Sequence, residues 1–188
     1  MRIRLAIAIA LSVAMAGCAS DQAIDRELAY ELAHPPPAAV AAAARLEPDT
    51  LAWYRACETA GLAQGHPLDA KQMALARAVG VQHPDRVRIV IGFTYPAPTS
   101  TTFNDRIRAT IRSAPVPLAA STFGHAIFIN PDDRHIRSVL AHELTHVAQF
   151  ERLGMPEFVH QFVLQLTLFG RLRAPLEREA TANGRRFR

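Results

Sequence analysis

The sequence predicts a small α+β domain, mostly helical, in which a short β-sheet precedes a buried helix. Three observations carry this. Apolar residues recur at helical spacing over 51–63, 68–79 and 158–169. Two short apolar stretches, 87–93 and 124–130, read as strands. The chain has 188 residues; about 170 remain once an N-terminal leader is set aside, which suits one core with short appendages. Internal repeats are absent from the sequence.

The elements follow in order. Arg2 and Arg4 precede the apolar run 5–11, and Met15-Ala16-Gly17-Cys18 closes it. Residues 1–17 therefore read as a secretory signal peptide, with an apolar core too short to span a bilayer. Its end resembles a bacterial lipobox. That resemblance implies lipidation of Cys18, which becomes the first residue of the mature protein, and a lipid anchor in the cell envelope. Ala19 follows Cys18 without an inner-membrane retention aspartate, so the resemblance favours the periplasmic face of the outer membrane. An ordinary signal peptide cut nearby, or an uncleaved anchor, leaves the chain outside the cytoplasm as well. Cys57 is the only other cysteine; with Cys18 lipidated no internal disulfide forms, and Cys57 packs as a small apolar side chain.

Residues 21–33 look helical until His34-Pro35-Pro36-Pro37 stops them, and the alanine-rich 38–44 carries little to bury. The reading is a lipidated tether over 18–48, with transient helix, and a folded domain over 49–188. Within the domain, Asp69 stands at the start and Gly80 at the end of the 68–79 helix. In the 87–93 strand Arg88 alternates with Val87, Ile89 and Ile91. Turn formers make 95–102 and 114–117 loops. Asn130-Pro131-Asp132-Asp133 turns the chain and is placed to cap a helix that runs through 139–148 and stops at Gly154 and Pro156. The 158–169 helix contains Gln161 and Gln165 and is shorter than a bilayer span, so it reads as core. Pro175 opens the last helix.

The net charge of +4 falls to +2 once Arg2 and Arg4 leave with the leader. The remaining basic residues concentrate at Arg171, Arg173, Arg178, Arg185, Arg186 and Arg188. Such a cluster touches anionic lipid or an acidic partner, or is a solvated tail and helix face. No aromatic residues interleave with it in a nucleic-acid-binding pattern, so nucleic acid is not an expected partner.

The most informative feature is His142-Glu143-Leu144-Thr145-His146, an H-E-x-x-H motif flanked by Val139-Leu140-Ala141 and Val147-Ala148. Glu143 is the only charged residue between Arg137 and Glu151, so the helix reads as buried. Positions i and i+4 share one helix face, which brings both imidazoles to one point. Two imidazoles and a carboxylate buried together without a shared partner cost a few kcal/mol or so, and a bound cation satisfies all three. Catalytic Zn2+ takes three protein ligands and leaves a position for water, and Glu143 is placed to act as the general base on that water. The bland alternative is a buried helix with two core histidines.

The third ligand lies elsewhere. Gln149 and Arg152 stand where the longer metzincin pattern needs Gly and His. His160 remains a candidate, as do the two carboxylates of Leu176-Glu177-Arg178-Glu179-Ala180-Thr181. Residues 139–148, the extended 124–130 segment and Leu176 to Ala180 together resemble the zincin metallopeptidases, in particular the gluzincin branch, over roughly residues 87–186. The resemblance implies a zincin-like domain, hydrolysis of peptide or protein substrates by zinc-activated water, and an E-x-x-A-D pattern whose first acid binds the metal. Glu177 is then the third metal ligand beside His142 and His146, with Glu179 the runner-up or a carboxylate supporting a ligand. Thr181 occupies the position of the family's aspartate, which holds a ligand histidine. The family also implies a strand lining the cleft, which Ile127, Phe128 and Ile129 fit, and a tyrosine or histidine on the oxyanion, for which Tyr95 and His125 are candidates. Two other functions stay open: a metal-binding but non-catalytic zincin-fold lipoprotein acting as an envelope binding module, and a helical lipoprotein with a chance motif.

Overall fold

The computed structural model describes residues 23–92, 96–101, 103, 119–134 and 136–188. The leader, Cys18 and Tyr95 lie outside the described residues. Contacts divide the chain into two compact units, Met1–Pro37 and Ala38–Arg188. In the first, helix α1 spans residues 23–33 and ends at His34, whose Nδ1 lies 3.0 Å from the Tyr30 carbonyl.

The second unit opens with a long helix, α2, Pro37–Gln64. The boundary expected between tether and domain at residue 48 thus falls inside a continuous helix. Alanine has the highest helix propensity, so the 38–44 run, expected to carry transient helix, is part of α2. Pro48 lacks the N–H that an interior position donates, and the Thr50 hydroxyl binds the Leu46 carbonyl at 2.7 Å one turn on. Thr50, Trp53, Tyr54, Cys57 and Gly61 are buried at helical spacing along one face.

Strand β1 is the short His66–Pro67, and helix α3, Ala70–Val79, has the expected ends. Asp69 accepts from the Gln72 N–H while the Gln72 side chain accepts from the Asp69 N–H, a reciprocal capping box. Gly80 closes the helix at φ +102°, a conformation that favours glycine. Strands β2, Arg88–Ile91, β3, Ala120–Phe123, and β4, Ala126–Ile129, complete a four-stranded sheet in the order β1-β2-β4-β3. β2 and β4 run parallel, whereas β3 and β4 form an antiparallel hairpin.

Ile127, Phe128 and Ile129, expected on the strand that lines the cleft, belong instead to an internal strand, buried throughout and paired on both sides. A continuous apolar run suits a strand covered on both faces, so it was the wrong run for an edge. Among the described residues the outer strand on this side is β3. Ile127 and Ile129 face a core with Leu75, Ile89, Leu140, Leu144 and Val147. Phe128 faces the other way, onto an aromatic cluster in which Phe123 packs edge-to-face on Trp53, Tyr54 and Phe128 at 5.0–5.8 Å.

Three helices follow: α4, Arg137–Leu153, α5, Met155–Phe169, and α6, Pro175–Arg186. The 130–133 turn forms as expected, with the Asn130 Oδ1 accepting from the Asp132 N–H. It does not cap α4: Ile136 holds the cap position and no side chain bonds there. Asn130 spends its acceptor on its own turn, which ends at Asp133, three residues before the cap position. Gly154, at φ +75°, ends α4, and Pro156 sits in the first turn of α5. Among the described residues no helix is long and apolar enough to cross a membrane.

Candidate metal centre

α4 is buried along Leu140, Ala141, Glu143, Leu144, Thr145, His146, Val147 and Gln149. It meets α6 at close range, because a Cβ at Gly184 would stand only 3.0 Å from the Ser138 carbonyl and 3.5 Å from the His142 Cβ. A side chain there would hold the helices apart. The Asn183 amide adds a bond to the Thr145 hydroxyl at 3.2 Å.

This crossing brings His142, His146 and Glu177 together. The two Nε2 atoms are 3.2 Å apart, the His142 Nε2 lies 3.6 Å from one Glu177 oxygen, and the His146 Nε2 lies 3.8 Å from the other. These are the described residues whose arrangement could hold a metal ion. Donors about 2.1 Å from a tetrahedral cation sit about 3.4 Å apart, which the observed spacings bracket. Two imidazole nitrogens facing each other at 3.2 Å cannot both present bare lone pairs, so a proton or a cation lies between them. The donor set therefore fits a cation.

The charges agree. Burial alone would raise the Glu177 carboxyl, but the adjacent His142 imidazole, with His146 and Arg171 nearby, holds it down to about 2. Burial would likewise lower His142, yet Glu177 and the neighbouring Glu143 raise it. The Arg171 Nε donates to Glu177 at 3.3 Å.

Behind the ligands stands Gln149, fully buried. Its Oε1 lies 2.9 Å from the His146 Nδ1, and its Nε2 donates to the Leu176 carbonyl at 2.9 Å and to Glu179 at 3.0 Å. Accepting the Nδ1 proton leaves the Nε2 lone pair of His146 directed at the centre. Glu179, the runner-up ligand, is thus the carboxylate behind Gln149, and it also pairs with Arg152 at 3.1 Å. A second buried glutamine, Gln165 of α5, accepts from the Leu176 N–H at 2.9 Å. Both backbone polar groups of Leu176 are held, one residue before Glu177. The Leu176 N–H is also one of the donors that a helix start leaves without a partner.

Glu143 is 5% exposed and its Oε2 accepts from the Thr122 hydroxyl at 2.6 Å. Thr122 also bonds the Glu143 carbonyl at 3.2 Å, which ties β3 to α4. Beside this pair opens a cleft of about 290 Å3, lined by residues including Ala120, His142, Glu143, Arg171, Thr181 and Arg185. Tyr54 lies close by; burial, with Glu177 and then Cys57 and Glu143 adding to it, raises its hydroxyl well above the ordinary tyrosine range.

Two candidates are not brought to the centre. The His160 Nδ1 pairs with Glu47 at 3.0 Å. His125 is held by carboxylates at both nitrogens, Glu151 at 3.1 Å and Glu58 at 3.5 Å, so it clasps α2 and α4 to the hairpin. Cys57 is buried, and burial pushes its thiol up to about 12. Thr122, Gln149 and Gln165 escape a reading of the sequence. The one signal for the glutamines is an amide inside an otherwise apolar helix.

Comparison with known proteins gives one match. No curated protein and no solved structure matches the chain. The family model for the eCIS core domain matches residues 101–154. The matched stretch takes in β3, β4 and the whole of α4 up to its glycine stop, and ends before Glu177.

Proposed function

We propose that this protein is a zinc-dependent metallopeptidase, with His142, His146 and Glu177 as ligands and Glu143 as general base. The observation that carries the reading is the convergence of three donors from two helices at 3.2–3.8 Å beside a buried glutamate. Two imidazoles and one carboxylate suit zinc. The family match adds support, since eCIS core domains are associated with zincin-like folds.

When bound, zinc supplies Lewis acidity that polarises a carbonyl and acidifies water. The chain's own residues do the rest. Thr122 donates to one oxygen of Glu143 and leaves the other to take a proton from the attacking water, which Glu143 then returns to the leaving amine. An extended substrate pairs with the outer side of β3, which has no partner strand among the described residues and whose first residue lines the cleft. The Gln149 and Glu179 bonds give His146 the support that Thr181 lacks, which weakens the reading as a non-catalytic binding module. The lipobox-like leader supports an anchor through Cys18 at the outer membrane.

Elemental analysis and hydrolysis of a peptide library test this together. About one zinc per chain is expected in the native protein, lost in His146→Ala. Glu143→Gln should keep the zinc and lose about 100- to 10,000-fold in turnover. A folded native protein without zinc, or undiminished turnover in Glu143→Gln, overturns the assignment.

A further inference from the structure

The arginines near the end of the chain do not all serve one face. Arg186 stacks on Phe187 at 5.3 Å. Arg171, Arg185 and Arg188 instead line the cleft beside His142 and Glu143. Arg171 is partly neutralised by Glu177. Neither Arg185 nor Arg188 has a hydrogen bond or an ion-pair partner among the described residues. The single side-chain carboxylate among the lining residues is Glu143, which bonds Thr122 at the strand side of the cleft.

The helix phase explains the layout. Thr181, Gly184 and Arg185 fall at i, i+3 and i+4 on one face of α6. Gly184 is taken up by the contact with α4, Thr181 is the small side chain on the cleft wall, and the exposed Arg185 stands at its rim. Thr181 also keeps this wall free of the negative charge that an acid would bring. A concave site lined by one sign of charge raises the local concentration of the opposite sign. Guanidinium groups match carboxylates in geometry as well as charge.

We infer that the cleft selects a substrate carrying a carboxylate next to the scissile bond, on the segment that lies along α6, with Arg185 and Arg188 as the specificity-determining residues. The inference rests on the reading of the site as a peptidase centre, which it deepens. The carboxylate belongs either to an Asp or Glu side chain or to a free peptide C-terminus.

Binding, not turnover, tests it. The probes are fluorescent degenerate hexapeptide mixtures, identical except for a central Glu or Gln, each made as the amide and as the free acid. Anisotropy is read on zinc-loaded Glu143→Gln protein, with and without Arg185→Ser and Arg188→Ser. The Glu or free-acid mixtures should bind about tenfold more tightly than their neutral counterparts, and the double substitution should bring the ratio close to one. Preference for central Glu identifies a side chain, and preference for the free acid identifies a terminus. Equal binding, no binding of any mixture, or a preference unchanged by the double substitution overturns the inference. Acidic peptides that bind to the native protein and are never cut would instead refute the peptidase reading. Cleavage without charge preference would do the reverse.

Discussion

Gln149 shows what a single side chain contributes here. One carboxamide accepts from His146 and donates to the Leu176 carbonyl and Glu179, so it orients a ligand and docks the helix that carries another. Gln149→Leu should keep the volume and remove all three bonds. Metal affinity is expected to fall about 10- to 100-fold, measured by competition with a chromophoric chelator. Unchanged affinity would reduce Gln149 to a packing residue. His142, Glu143 and His146 were legible because a spacing of four on a helix admits one geometry. Glu177 and Glu179 were harder. Two residues apart, they lie about 200° round the axis and cannot face the same point. Which one faces inward depends on how α6 docks, and that depends on two glutamines whose residue type usually marks solvent.

Among the elements, the helices were read well and the sheet less so. Asp69, Gly80, Gly154 and Pro175 mark helix ends through backbone chemistry that does not depend on the rest of the fold. Strand position does depend on it, and the exchange of β4 for β3 beside the cleft came from reading an apolar run as an edge. The crossing of α2 over β4 was also invisible. It is possible because Gly61 has no side chain: a Cβ there would overlap that of Ala126 and stand 3.1 Å from the Phe128 ring. Gly61→Ala should therefore lower stability by about 1–3 kcal/mol in urea unfolding, although alanine is the better helix former. A stabilised variant would mean that the helix can lift from the sheet at little cost.

For the molecule as a whole, the proposed metal centre is also a cross-link between α4 and α6. In the metal-free protein Glu177 is held below its ordinary value of 4.5, at about 2, so its contribution to stability is complete above 4.5 and lost as pH falls toward 2. His142 is raised, so its contribution is complete below 6.5 and lost as pH rises through its folded value. The metal-free protein should melt highest between these limits, and its decline from pH 5 to pH 2 should be shallower in Glu177→Gln. Near neutral pH, zinc at about 1,000 times its dissociation constant should add about 4 kcal/mol, read as a rise in melting temperature that His146→Ala abolishes. A melting temperature indifferent to zinc would disconnect the centre from the fold.

The grip of Gln149 and Gln165 on the N–H and C=O of one residue, Leu176, gives the centre a particular relation to its supply of metal. The third ligand waits in position, so loading is a capture event and not a folding event. Empty and filled forms then differ in occupancy and hardly in shape. Under the proposed function, scarcity of zinc would silence the protein without offering a loosened chain to other proteases, and restored supply would reactivate the molecules already in place.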